Sequence, residues 1–238
     1  MEFKLFIIGT PIGNLEDISF RAIKTLKTSD IILCEDIRTS QKLLKHYEIN
    51  NKQLIAYHKF NEKQLATKIV NLILKNKVVS LISDAGMPCI SDPGFNLITE
   101  CKKNNIFVDI IGGPTAFVHA FIKSNFGSTF TFLGFLKDKS GERCNQLKKL
   151  SEGIYVSYVS PHKLISTLND FANVFDNEID LYLCKELTKL YESDYSGKPL
   201  EIIEQLENNI KGEFVLVFSI KKQKHIKVNK YENKNRVL

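Results

Sequence analysis

The segments GTPIGN at residues 9–14 and SDAGMPCISDPG at residues 83–94 decide the fold of this chain. Each follows a short apolar run that is typical of a buried β-strand, and each precedes a helical pattern. Loops that follow parallel strands gather at the carboxyl edge of the sheet, where ligands bind in open α/β folds. The two segments are therefore predicted to converge on one ligand.

Strand and helix patterns alternate along most of the 238 residues, which predicts two α/β domains with a ligand cleft between them. Glycine and proline interrupt the pattern at Gly112-Gly113-Pro114, so the predicted domains are 1–113 and 114–220. Residues 221–238 form a basic tail, for which a solvated chain end is favoured over an RNA contact.

Strands are predicted at 4–8, 31–34, 54–57, 78–82, 108–111, 129–133, 154–159, 179–184 and 213–220. Residues 135–143 are predicted to form an exposed loop or hinge.

Composition places few further limits on function. The chain is 43% hydrophobic, and its apolar runs are far shorter than the roughly 20 residues of a membrane-spanning helix. The amino terminus leads directly into the first strand pattern without a cleavage site, which predicts an unprocessed, cytoplasmic protein. The formal net charge of +6 favours a polyanionic partner only slightly. Five widely spaced cysteines predict reduced thiols and no metal site.

The first loop matches a dinucleotide-binding turn only in part. Pro11 removes a backbone donor, and no third glycine follows Gly13, whereas the usual fingerprint has three glycines. The acidic pair Glu35-Asp36 ends the second strand about where a ribose-binding acid would lie. A nicotinamide enzyme therefore stays open as an alternative, beside a plain tight turn with a helix-capping acid.

The second loop is denser in conformationally special residues. Two prolines, two glycines and two aspartates lie between Asp84 and Gly94, so its backbone is predicted to be rigid and exposed. Asp92 and Pro93 are explained as the cap and first residue of the following helix. Residues 84–88 extend beyond what a cap requires, which predicts a binding role for them.

Seven segments, taken in order, resemble one known family. They are residues 10–15 (TPIGNL), 35–38 (EDIR), 83–88 (SDAGMP), 91–94 (SDPG), 113–116 (GPTA), 185–189 (KELTK) and 211–213 (KGE). The family is the tetrapyrrole-methylase superfamily of class III methyltransferases, and within it the small-subunit (16S) ribosomal RNA cytidine 2′-O-methyltransferases. The resemblance extends over residues 3–220.

The resemblance implies S-adenosylmethionine bound in a cleft between two α/β domains. It also implies a homodimer and methyl transfer to a cytidine ribose in ribosomal RNA of the small subunit or its particle. The residues predicted by this resemblance to bind the cofactor are Pro11, Gly13, Asp84, Gly86, Met87, Thr115, Ala116, Leu187 and Gly212.

Location and charge make Glu35, Asp36 and Arg38 the candidate catalytic residues. A ribose hydroxyl is a poor nucleophile at neutral pH, so a positioned carboxylate could orient or deprotonate it. The hypothesis is that Glu35 or Asp36 orients the acceptor ribose and that Arg38 contacts RNA.

The chain departs from the family pattern at Val159, where relatives usually have glutamate, so a catalytic role for residues 158–163 is in doubt. Two other functions stay open. One is methylation of a porphyrin-type ring or a modified protein side chain by the same superfamily. The other is a non-catalytic RNA-binding assembly factor, for which the Val159 departure is the only support.

Overall fold

The computed structural model describes residues 4–207 and 209–221, and two five-stranded sheets carry the fold. The first sheet has the order β3-β2-β4-β1-β5, and all its paired strands are parallel. Its strands are β1 (Lys4–Ile8), β2 (Ile31–Cys34), β3 (Gln53–Ala56), β4 (Val79–Leu81) and β5 (Phe107–Ile111). The helices between them are α1 (Phe20–Thr28), α2 (Ile37–His46), α3 (Glu62–Leu74) and α4 (Phe95–Lys103).

Apolar side chains cover both faces of this sheet, as continuous apolar strands require. Leu5 and Ile7 of β1 point to the face covered by α3 and α4, where Ile69 and Leu97 complete the core. Ile8 points to the opposite face, which α1 and α2 cover. This two-sided burial fixes the strand positions and leaves the carboxyl edge of the sheet for loops.

The second sheet is mixed and has the order β6-β7-β10-β8-β9. Its strands are β6 (Thr131–Phe135), β7 (Gly153–Val159), β8 (Asp180–Lys185), β9 (Ser193–Gly197) and β10 (Phe214–Ile220). Helices α6 (Ser140–Leu147), α7 (Leu164–Val174) and α8 (Pro199–Gln205) cover one face, and α5 (Ala116–Ser124) packs on the other. Ile12, from the first loop of the chain, also packs into the core on the α5 side. The two sheets therefore share a packed junction at this loop.

The strand register aligns four chain positions at one end of the second sheet. Phe214, at the start of β10, pairs with Val159 and with Lys185, which end β7 and β8. Phe135 at the end of β6 pairs with Tyr158. The segments that follow β6, β7 and β8, and the one that precedes β10, thus leave the sheet at the same end.

A buried ion pair holds α6 against α7. Arg143 is 1% exposed, and its Nε donates to Asp170 Oδ2 at 2.7 Å. The same guanidinium donates to the backbone carbonyls of Lys137 and Asp138 at 3.0 and 3.1 Å and to the Ser166 hydroxyl at 3.2 Å. Because its donors reach several acceptors, this charge is compensated within the core.

Several sequence-based predictions of elements were wrong in detail. Residues 135–143, predicted as a loop or hinge, contain the last residue of β6 and the first turn of α6. Strand β9 was not predicted, because its sequence SDYSG lacks an apolar run. Helix α4 begins at Phe95 with Gly94 as its cap residue, so Asp92 does not cap it. The division into domains 1–113 and 114–220 stays a prediction, and the tail beyond residue 221 lies outside the described residues.

Candidate functional site

The two glycine-containing loops converge, as the sequence predicts. Thr10 and Gly86 form an isolated antiparallel bridge, in which the Thr10 N–H donates to the Gly86 carbonyl at 2.9 Å and the reverse bond is 3.1 Å. The Thr10 hydroxyl donates to the Ser83 carbonyl at 3.3 Å. Gly86 has φ +78°, a left-handed conformation that favours glycine. The loop after β1 is therefore joined to the loop after β4.

A second close approach lies where β1 and β5 end. A Cβ added to Gly9 would lie 2.6 Å from the backbone nitrogen of Gly113 and 2.6 Å from the Met87 sulfur. The Gly9 N–H also donates to the Ile111 carbonyl at 2.9 Å. Only glycine at position 9 allows these two backbones to lie so close.

The first loop also contacts the second half of the chain. A Cβ on Gly13 would lie 2.6 Å from side-chain atoms of Thr188 and Lys189. The Asn14 N–H donates to the Thr188 hydroxyl at 3.0 Å. Gly13 is thus placed at a packing contact between the two halves.

A cavity of about 480 Å³ lies between the carboxyl edge of the first sheet and the aligned end of the second. Its lining residues from the first half are Ile12, Glu35, Asp84, Ala85, Gly86, Met87, Ile90, Ser91 and Asp92. Its lining residues from the second half are Thr115, Ala116, Phe135, Tyr158, Val159, Ser160, Pro161, Leu187, Glu213, Phe214 and Val215. Small-molecule sites commonly have volumes of about 300–1,000 Å³, so the cavity is large enough for a nucleoside-sized ligand.

The structure places the predicted cofactor residues at or next to this cavity. Six of them line it: Asp84, Gly86, Met87, Thr115, Ala116 and Leu187. Pro11 and Gly13 flank the lining residue Ile12, and Gly212 precedes the lining residue Glu213. Gly212 has φ +116°, and the Glu213 N–H donates to Glu186 Oε1 at 2.8 Å. The predicted set therefore clusters at one place in the fold.

The three candidate catalytic residues do not share one location. Glu35 lines the cavity, whereas Asp36 is the N-cap of α2 and its carboxylate accepts from the Arg38 N–H at 2.8 Å. The Arg38 guanidinium donates to Asp36 Oδ2 at 2.7 Å, and the Arg38 side chain is 87% exposed. Hydrogen bonds from Arg38 lower the pKa of Asp36 to about 2. Asp36 and Arg38 therefore lie beside the cavity, at its solvent side.

Three acidic residues of the first half line one side of the cavity: Glu35, Asp84 and Asp92. Burial raises the pKa of Glu35, and the charge of Asp84 raises it further. Burial also raises the pKa of Asp84, although the Asp36 N–H donates to Asp84 Oδ1 at 3.1 Å and opposes the shift. Asp92 shows the larger change: burial, followed by the charge of Glu35, raises its pKa to about 6. This side of the cavity is thus negative and partly desolvated, which suits a cationic group such as a sulfonium.

Sequence reasoning missed Asp92 as a site residue and left Tyr158 in doubt. The pKa of Tyr158 rises to about 12, first through burial and then through the charge of Asp92. The signal for Asp92 was its place in the dense second loop, but the following proline made a helix cap the simpler interpretation. The segment 185–189 contributes the buried side chain of Leu187 to the cavity.

Among residues 4–207 and 209–221, no group of three or more His, Cys, Asp or Glu side chains is arranged to hold a metal ion. The five cysteines, all within those ranges, are free thiols. In the same part of the chain, every helix is too short or too polar to span a bilayer.

Comparison with known proteins agrees with this geometry. Residues 4–199 match the family model for tetrapyrrole (corrin/porphyrin) methylases. Ribosomal RNA small subunit methyltransferase I of Mycoplasmopsis pulmonis is 56% identical over 92% of this chain and 98% of its own length. The protein of the same name from Mesomycoplasma conjunctivae is 47% identical over the full length of both chains.

Solved structures with the same fold are more distant in sequence. Diphthine synthase superposes with a TM-score of 0.70 at 10% identity, covering 92% of this chain and 90% of its own. Uroporphyrin-III C-methyltransferase of Thermus thermophilus, in complex with S-adenosyl homocysteine, superposes with a TM-score of 0.60 at 13% identity. The match covers 91% of this chain and 97% of that chain.

Two α/β units with a cleft between them, entered by loops from both sheets, define a class III methyltransferase fold, which confirms the predicted fold class. The chain belongs to the tetrapyrrole methylase family and, within it, to the ribosomal RNA small subunit methyltransferase I group. The predicted family and the methyltransferase class are thereby confirmed.

Proposed function

We propose that this protein transfers a methyl group from S-adenosylmethionine to the 2′-hydroxyl of a cytidine in ribosomal RNA of the small subunit. The observation that carries the proposal is the joined pair of loops at Thr10 and Gly86, which form one wall of a cavity lined by both halves of the chain. The names of the relatives at 47–56% identity support the RNA substrate.

The residues at the cavity fit the cofactor in charge and in shape. Gly86, with φ +78°, brings backbone to the cavity without a side chain, and Met87 lines the cavity next to it. Thr115 and Ala116 stand at the start of α5, whose positive dipole end suits a carboxylate. Asp84 would face the cationic part, and Leu187 would pack against apolar atoms. Pro11, Gly13 and Gly212 shape the loops that carry these contacts.

S-adenosylmethionine supplies an electrophilic methyl group on a sulfonium. The chain's own task is therefore to align the acceptor oxygen and exclude water, and no covalent nucleophile is needed. Glu35 is the proposed base, because its raised pKa lies nearer to neutrality than that of an exposed glutamate. Asp36 acts as a positioning residue, since it caps α2 and holds the Arg38 guanidinium.

Arg38 is proposed to bind an RNA phosphate. Its side chain is 87% exposed beside the cavity, so it can reach a backbone that passes over the site. In Arg38→Ala, RNA binding should weaken, and the slope of log affinity against log salt should fall by about one. An unchanged slope would exclude a phosphate contact at this position.

The proposed assembly is a homodimer in the cytoplasm. Val118 and Ile122 leave an apolar stripe on the outer face of α5, and Leu190 and Tyr191 are 87% and 76% exposed. Lys123 pairs with Glu192, which places the end of α5 next to the segment that carries these two side chains. Sedimentation should show that the protein is a dimer and that Ile122→Glu is a monomer. A variant that stays dimeric would show that Ile122 is not part of the interface.

The decisive experiment combines two measurements on the purified protein. Calorimetry should show S-adenosylmethionine binding, and labelled methyl should pass to small-subunit particles or naked ribosomal RNA and appear as 2′-O-methylcytidine by mass spectrometry. Glu35→Gln should keep cofactor affinity and lose on the order of a hundredfold in rate or more. Binding without methyl transfer to either RNA would instead support an assembly factor, and transfer only to a porphyrin or a protein would refute the RNA substrate.

A further inference from the structure

Several hydrogen bonds hold the exposed turn that follows β3, residues 57–61, which we call the braced turn. Asn61 Oδ1 accepts from the His58 N–H at 2.8 Å, and Asn61 Nδ2 donates to the Ala56 carbonyl at 2.9 Å. The Tyr57 N–H donates to the Cys34 carbonyl of β2 at 2.8 Å, and the Tyr57 hydroxyl donates to the Glu62 carbonyl at 3.2 Å. The backbone of residues 57–61 is therefore held in one conformation.

This braced turn displays an aromatic ring to solvent. Phe60 is 89% exposed, and its only ring partner within the described residues is His58, edge-on at 6.0 Å between centroids. A second phenylalanine, Phe95, is 75% exposed at the first position of α4. The Gly94 N–H donates to Glu62 Oε2 at 3.0 Å, so the starts of α3 and α4 are joined. A single exposed phenylalanine is ordinary. Here two exposed rings lie near the starts of two helices that a hydrogen bond connects, so they belong to one ordered surface.

The segments that carry the two rings adjoin segments that line the cavity. Strand β3 pairs with β2 in register up to Ala56 and Cys34, so the turn at Phe60 lies next to the segment that begins with Glu35. His58 is close enough for its charge to lower the pKa of Glu35 against the other effects. Phe95 follows the second loop, in which residues 84–87 and 90–92 line the cavity.

Charge favours a nucleic acid over a protein as the occupant of this surface. Lys59 is exposed beside Phe60, and the Arg38 side chain, which is 87% exposed and paired with Asp36, lies at the start of the neighbouring helix α2. Exposed aromatic rings with flanking cations are the typical surface for unstacked bases of single-stranded RNA.

We propose that Phe60 and Phe95 form a stacking platform for the nucleobases that flank the methylated cytidine. The inference rests on the proposed RNA substrate. The platform holds the RNA strand at the β2–β3 side of the cavity, while the loops at Thr10 and Gly86 hold the methyl donor on the other side. The acceptor ribose is thereby placed above Glu35.

The test measures binding of a fluorescein-labelled single-stranded oligoribonucleotide by anisotropy, with the full chain. Stacking contributes about 1–3 kcal/mol per base, so Phe60→Ala should weaken binding by roughly 5- to 150-fold. Phe60→Tyr should restore affinity because any aromatic ring can stack. The salt slope should stay unchanged in Phe60→Ala, because no cation is removed.

Phe20→Ala is the matched control. Phe20 is 93% exposed, but it lies on α1, whose Arg21 donates to the Ile110 carbonyl of β5 at 2.6 Å, at the opposite edge of the sheet from β3. RNA affinity should be unchanged in this variant. S-adenosylmethionine affinity, measured by calorimetry, should be unchanged in every variant.

Equal RNA affinity in Phe60→Ala and the parent would overturn the platform, as would an equal loss in Phe20→Ala or no rescue by Phe60→Tyr. The proposed function survives such a result if the parent still methylates small-subunit particles. Failure of the parent to bind the donor or to methylate any RNA would instead refute the proposed function, and the platform with it.

Discussion

Asp92→Asn should stabilise the ligand-free protein at neutral pH. The carboxyl group is partly desolvated in the cavity beside Glu35, and its pKa rises from 3.8 to about 6. At about 1.4 kcal/mol per pH unit, this rise corresponds to a cost of roughly 3 kcal/mol for folding with Asp92 ionised. The group is only half-buried, and solvent screening reduces the expected gain in the variant to about 1–2 kcal/mol.

The raised pKa of Asp92 determines how the free energy of unfolding should change with pH. Asp92 binds its proton more tightly in the folded state, so the folded protein is favoured below pH 4 and loses this advantage as pH rises through about 6. The free energy of unfolding, measured by urea titration from pH 4 to pH 8, should therefore show a gain for Asp92→Asn that grows between pH 4 and pH 6. Asp17→Asn, at an exposed position, is the control for removing one surface charge.

A gain that is constant with pH, or a loss of stability at pH 8, would refute this reasoning. A helix cap at Asp92 predicts a different result, because asparagine caps about as well as aspartate and stability would change little at any pH. Activity provides a second readout. Asp92→Asn should lower methyl transfer if the negative charge supports the sulfonium, so a more stable variant would be a poorer enzyme.

Two further predictions concern backbone packing and the buried ion pair. Gly9→Ala should lower S-adenosylmethionine affinity more than tenfold by calorimetry, because the new Cβ would lie 2.6 Å from the Gly113 nitrogen; Gly112→Ala, with no atom within 4 Å, should bind normally. Arg143→Met should reduce the free energy of unfolding by about 3–5 kcal/mol in urea titrations, because Asp170 is left buried without its partner. A loss below about 1 kcal/mol would show that water or another cation compensates Asp170.

Local sequence determined much of the fold. Apolar runs such as Lys4–Ile8 and Ile31–Cys34 identify buried strands at the bounds that the structure has. Their continuous hydrophobicity reflects burial on both faces of a parallel sheet, a requirement that acts on each strand separately. Strand β9 could not be predicted in this way, because its sequence SDYSG has no apolar run. It is an edge strand that is stabilised by backbone pairing with β8.

The cavity could be predicted only in part from the sequence. The high content of glycine and proline identified the loops at residues 9–14 and 83–94, because these two residue types determine the backbone conformations that are accessible locally. The tertiary structure decided that Asp92 lines the cavity and that the side chains of Arg38 and Phe60 are exposed to solvent. Desolvation and charge proximity depend on which chain segments pack together across the two sheets, and no single segment contains that information.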